Sequence, residues 1–154
     1  GSGNTPPTSP PQGNDSGEGG GECAAGGGGA GAVGGDGGTS GGTGGIGVQV
    51  AIAGPAADTT GVGDINPGPG EYQWFAGGGT GGGDGTKSAG GVGGGGMDPS
   101  PQPNGQANTG GGGGGSVLRA YNWPAPAPDQ YSLGSDGGSG FKGICVMRHI
   151  KSLY

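Results

Sequence analysis

Residues 34–46 read Gly34-Gly35-Asp36, Gly37-Gly38-Thr39, Ser40, Gly41-Gly42-Thr43 and Gly44-Gly45-Ile46. Two glycines and one larger residue recur, and Ser40 alone interrupts them. A period of three is the period of the polyproline-II conformation, which has no hydrogen bonds of its own. There every third side chain leaves on one edge, and each N–H and C=O points outward. Glycine lacks a side chain to hold neighbours apart, so such helices can approach closely and bond to one another. Weak Cα–H···O contacts add to that packing.

The composition around this stretch sharpens the choice. Glycine supplies 51 of 154 residues, whereas Val, Ile, Leu and Phe together supply 17. So little apolar burial cannot offset the entropy of ordering a glycine-rich backbone. Composition of this kind by itself belongs to disordered chains. Two alternatives follow, a solvated coil or a bundle of polyglycine-II helices held by backbone hydrogen bonds. The order of the remaining residues favours the bundle. The expected fold class is glycine-rich and non-helical, with packed polyglycine-II helices, a few short β-strands and long loops. No stretch has the 3.6-residue apolar period of a helix. A strict Gly-X-Y period is also lacking, which argues against a collagen triple helix.

Upstream, residues 4–12 carry four prolines and predict an extended, PPII-like segment. Downstream, Ile46, Val48, Val50 and Ile52 alternate with Gly47, Gln49, Ala51 and Ala53, which predicts a half-buried strand over 46–53. A second strand is expected over 71–76, with Trp74 and Phe75 packing a small core. Glycine tracts follow at 77–96 and at Gly110 to Gly115, separated by an exposed loop over 97–106. A larger loop spans 116–136. A last strand is expected at 144–150, with Ile144, Val146, Arg148 and Ile150 on one face. The whole is expected to form one domain over 1–154. The absence of an initial Met and of a basic, apolar leader suggests a mature or excerpted fragment.

The formal charge of −6 argues against binding to nucleic acid or to an anionic membrane. No apolar run approaches the roughly 20 residues that span a bilayer. Cys23 and Cys145 are too few for a disulfide framework, and two unpaired thiols are expected. His149 is the single histidine, and no Ser or Cys has a nucleophile's context, so no catalysis is expected. Gly-x-Gly-x-x-Gly recurs without the strand–turn–helix setting of a dinucleotide site, and no cofactor is expected. Residues 93–98 begin like a calcium nonapeptide, but Ser100 stands at the apolar position and no tandem copy follows. Asp36, Asp84 and Asp136 read instead as solvated positions that keep glycine surfaces soluble.

The binding candidates are Arg119, Tyr121, Trp123 and Tyr131 in the loop 116–136. Aromatic and Arg side chains anchor interfaces, and aromatic rings stack on sugar faces. Packing against a neighbouring subunit is the alternative role for these residues.

Several pieces, in order, resemble a glycine-rich domain of bacteriophage tail-fibre and virion proteins, of the kind found in marine and cyanobacterial phages. They are Thr5-Pro6-Pro7-Thr8-Ser9-Pro10-Pro11-Gln12-Gly13-Asn14, Ala30-Gly31-Ala32-Val33-Gly34-Gly35-Asp36-Gly37-Gly38, Ala107-Asn108-Thr109 before the longest glycine run, and Gly137-Gly138-Ser139-Gly140. Gly143-Ile144-Cys145-Val146-Met147-Arg148-His149 resembles that family's closing strand, usually Gly-Ile-Val-Ile-Ile-Arg-Tyr. The family's upstream half has no counterpart here, so the resemblance implies the C-terminal part of a longer domain or protein, and the loop 116–136 is longer and more aromatic. The resemblance implies a tail-fibre or tail-tip module at the virion surface, extracellular to the host. It would form homo-oligomers with other virion or fibre subunits, and its loops would bind a host-surface glycan or protein. A purely structural filament or coat component is the second alternative. An ice-binding polyglycine-II protein is the third, disfavoured by the irregular loops.

Overall fold

The computed structural model describes residues 1–21, 23–53, 63–64, 72–83, 88–97, 103–116, 137–140, 142–143 and 145. Regular secondary structure among them is slight. Strand β1 is Val48–Gln49, a 3-10 turn follows at Ala51–Ala53, and strand β2 is Trp74–Phe75. The strands pair antiparallel, with Val48 opposite Phe75 and Gln49 opposite Trp74.

The remaining order comes from backbone hydrogen bonds between extended glycine-rich segments, arranged in rows of every third residue. Segment 24–30 illustrates the pattern. Ala24, Gly27 and Ala30 donate their N–H groups to the carbonyls of Gly82, Gly79 and Ala76, at 2.8, 2.9 and 2.9 Å. Gly26 and Gly29 donate to Gly35 and Ala32, both at 2.9 Å. The carbonyls of Ala24 and Gly27 accept from Gly42 and Gly45, both at 2.9 Å. Those of Gly26 and Gly29 accept from Gly17 and Asn14, both at 3.1 Å. Each row thus faces a different neighbour. Segment 42–45 runs parallel to 24–30, and the other three run antiparallel to it.

Segment 76–82 lies at the centre. Gly78 and Gly81 donate to Gly45 and Gly42, while Gly77 and Thr80 donate to Gly93 and Gly96. The carbonyls of Gly77 and Thr80 accept from Gly112 and Gly115 at 3.0 and 2.8 Å. Residues 77–81 are all buried. Glycine dominates here because the backbones leave little room. A Cβ on Gly78 would stand 2.7 Å from the carbonyl carbon of Gly27 and 2.9 Å from the oxygen of Gly28. Real Cβ atoms do not come that close to backbone.

Three local expectations need correction. The alternation over 46–53 yields a strand at Val48–Gln49 alone, and its apolar side chains point outward. Ile46, Val48 and Ile52 are 43, 39 and 44% exposed, while Gly47 is buried. The neighbouring backbone sets this orientation, since a Cβ on Gly47 would meet the Phe75 carbonyl carbon at 2.7 Å and Val92 O at 3.0 Å. The proline segment is not simply extended. Bends at 3–6 and 9–10, with cis Thr5–Pro6 and Ser9–Pro10 bonds, fold it back. Asn4 organises that turn, its Oδ1 accepting from Thr8 Oγ1 at 2.9 Å and from the N–H groups of Thr8 and Gln12. The returning chain puts Ser16 N 2.9 Å from Gly1 O. Thirdly, Asp36 does more than solvate the surface, since its Oδ1 accepts from Glu18 N at 2.8 Å. Asp84, Asp136 and the expected closing strand, apart from exposed Cys145, lie outside the described residues.

Candidate functional site

Arg119, Tyr121, Trp123 and Tyr131 all lie outside the described residues, as does His149. Two features within the described residues concern function, an aromatic corner and a groove.

The corner forms where β1 meets β2. Phe75 is buried and Trp74 half-buried, while Tyr72 is exposed. Gln73, between the rings, has no exposed surface at all. Its carbonyl accepts from Val50 N at 3.1 Å, and Gln49 Nε2 donates to the Tyr72 carbonyl at 3.2 Å. Asp64 braces the corner. It exchanges both backbone hydrogen bonds with Trp74, at 2.9 and 3.1 Å. Its Oδ2 accepts from Gly93 N at 3.0 Å and Gly94 N at 3.3 Å. Those glycines have φ of 103° and 86°, so consecutive N–H groups converge on one carboxylate. Such a nest suits an anion, and here the chain's own Asp64 fills it. No sequence signal announces this pairing, because the two parts are far apart in the chain. Ile46, Val48, Ile52 and Tyr72 add exposed apolar surface on the two strands and their flanks.

The groove has a volume of about 590 Å³ and runs along the bundle. Segments 24–30, 76–82 and 112–115 line it, and Gly3, Gln12 and Asn14 contribute as well. Its lining is mostly glycine, interrupted by alanines and by Gln12, Asn14 and Thr80.

Among the described residues no group of three or more His, Cys, Asp or Glu gathers to hold a metal ion. Cys23 is buried and Cys145 exposed, and both are free thiols. No helix among the described residues is long and apolar enough to cross a membrane. Comparison with protein-family models, curated proteins and solved structures gives no match.

Proposed function

We propose that the chain is a bacteriophage tail-fibre or tail-tip module, in which a rigid polyglycine-II scaffold displays loops that bind a host-surface glycan or protein. One observation supports it above all. Hydrogen bonds between glycine-rich segments recur at every third residue and reach four neighbours of segment 24–30. Three residues per turn is the geometry of polyglycine II, and bonding in several directions stiffens a chain that has almost no apolar core. Asp36, Thr39, Thr43 and Ile46 are exposed while Gly34, Gly41, Gly42 and Gly45 are buried. In this stretch the larger side chains are therefore carried at the surface, where recognition takes place. In this proposal the module performs no catalysis, needs no cofactor and assembles with other virion subunits at the virion surface.

A purely structural filament or coat component is the second reading. The exposed Ile46, Val48 and Ile52 favour it, because apolar side chains near one strand suit a subunit contact.

Trp123→Ala separates the two. Binding to bacterial cells and a glycan array is measured beside oligomer size by light scattering. A receptor role predicts at least a roughly tenfold loss of binding with oligomer size unchanged. Unchanged binding with a dissociated oligomer rejects that role and leaves a structural one.

A further inference from the structure

The spacing of the hydrogen bonds shows which positions in the bundle are filled. Around segment 24–30 the three N–H rows and three C=O rows define six directions. Four are occupied, by segments 76–82, 42–45, 32–35 and 14–17. The two empty directions belong to the row of Ala25 and Gly28, which makes no hydrogen bond among the described residues. On segment 76–82 one direction is empty at Gly79 and Gly82, whose N–H groups have no partner among the described residues although their carbonyls do. On segment 112–115 the corresponding row is Gly113, also without a hydrogen bond among them. Ala25, Gly28, Gly79, Gly82 and Gly113 all line the groove. Thr80 lines it too, is 4% exposed, and keeps a buried Oγ1 that has no partner among the described residues.

We propose that the groove receives an extended glycine-rich strand from another polypeptide, which completes the bundle by hydrogen-bonding through every third residue. This inference rests on the polyglycine-II proposal above. The chemistry selects the occupant. Unpartnered donors at Gly79 and Gly82 call for carbonyls, and unpartnered carbonyls on Ala25, Gly28 and Gly113 call for N–H groups. Only a main chain offers both at a three-residue period. In the occupied rows a Cβ on Gly78 or Gly47 would collide with neighbouring backbone, and a strand that packs in the same geometry is glycine-rich for the same reason. The strand must also come from elsewhere. The runs Gly26 to Gly29, Gly93 to Gly96 and Gly110 to Gly115 are already part of the bundle. The glycines outside the described residues, at 54, 61, 68, 70, 85 and 134, stand singly. Segment 24–30, at roughly 3.1 Å per residue, offers about 20 Å for docking.

The test uses the whole chain and a fluorescein-labelled peptide of about eight glycines flanked by lysines, long enough for the groove at that rise. Fluorescence anisotropy should show saturable binding. The same peptide made of N-methylglycine, which lacks N–H donors, should bind at least about tenfold more weakly, given the cost of leaving polar groups unpaired. Ala25→Leu, which narrows the groove, should weaken the glycine peptide while leaving Cys23 shielded from thiol reagents. Amide exchange gives an independent readout on the unmodified chain. Peptide should slow exchange at Gly79 and Gly82, with Gly78 and Gly81 slow throughout. Equal binding of both peptides, or no binding with Gly78 and Gly81 protected, overturns the docking and spares the scaffold. Fast exchange at Gly78 and Gly81 overturns the scaffold itself.

Discussion

Residues 77–81 and residues 46–52 handle the interior in opposite ways. The first stretch is glycine with one threonine and is buried throughout; the second holds Ile46, Val48 and Ile52 and exposes all three. In an ordinary domain the order would be reversed, because apolar side chains gain most from leaving water. Here the interior is made of main chain, and its order comes from hydrogen bonds and close packing. The space between segments is too narrow for a methyl group at most positions, so β-branched residues are left on the rim. Most buried positions among the described residues are therefore glycines, with Gln73, Phe75, Cys23, Thr80 and Thr109 as the exceptions.

The hardest test of this contrast is Gly78→Val. The added atoms would stand within 2.7 Å of the Gly27 backbone, and no flexible side chain is there to yield. Overpacking together with broken ladder bonds should cost more than about 3 kcal/mol. Amide exchange across 24–30 and 42–45 should then rise to the rate of an unfolded chain. Retention of protection would remove the case for a main-chain interior.

A smaller effect is expected at the seam between the two stretches. Asp64 joins Trp74 of β2 to Gly93, whose carbonyl accepts from Gly77. Asp64→Ala leaves the buried Gly93 and Gly94 N–H groups without their acceptor and should cost about 1.5–3 kcal/mol in denaturant unfolding. A loss confined to Tyr72 to Ala76 in exchange experiments would show that the corner melts apart from the bundle.

The smallest effect belongs to Ile46→Thr and Val48→Thr. Both side chains are exposed, so each change should alter stability by less than about 0.5 kcal/mol in the dilute protein. A loss of several times that would place these residues in a core and undo the contrast. A change in oligomer size without a change in stability would point to subunit packing.

The three-residue spacing is legible in the Gly-Gly-X stretch because period is a local property of a chain. Which segments become neighbours is not legible, nor are their directions, since one glycine run pairs as well as another. The alternation at 46–53 has the look of a half-buried strand because β-branched residues usually mark a face that seeks a core. It misleads because the backbone of Phe75 and Val92 crowds the buried face at Gly47 and leaves no room there for a side chain. Nothing beside Asp36 or Asp64 in the sequence signals that their carboxylates take backbone N–H groups from distant segments. The groove is hidden for the same reason, since it consists of the unused rows of segments far apart in the chain. Arg119, Tyr121, Trp123 and Tyr131 are candidates by residue type alone, and their placement lies outside the described residues.

The connectivity of the rows bears on how the chain acquires its shape. Ala24 bonds to Gly82, Gly42 to Gly81 and Gly77 to Gly112, so the ladder rungs join distant parts of the sequence. An isolated segment of this kind has no internal bonds with which to begin. Local rungs such as Gly26 to Gly35 need little closure, but long loops must close before the central segment 76–82 is tied to 24–30, 42–45 and 112–115, and that entropy falls on the transition state. Folding should therefore be slow, and a partly formed bundle should gain little until several segments meet. Once assembled, the central segment can be withdrawn only by breaking rungs to several neighbours together. That crossing of connections should make unfolding slow as well, a property that would suit the proposed virion-surface role, where a part keeps its shape for long periods without repair.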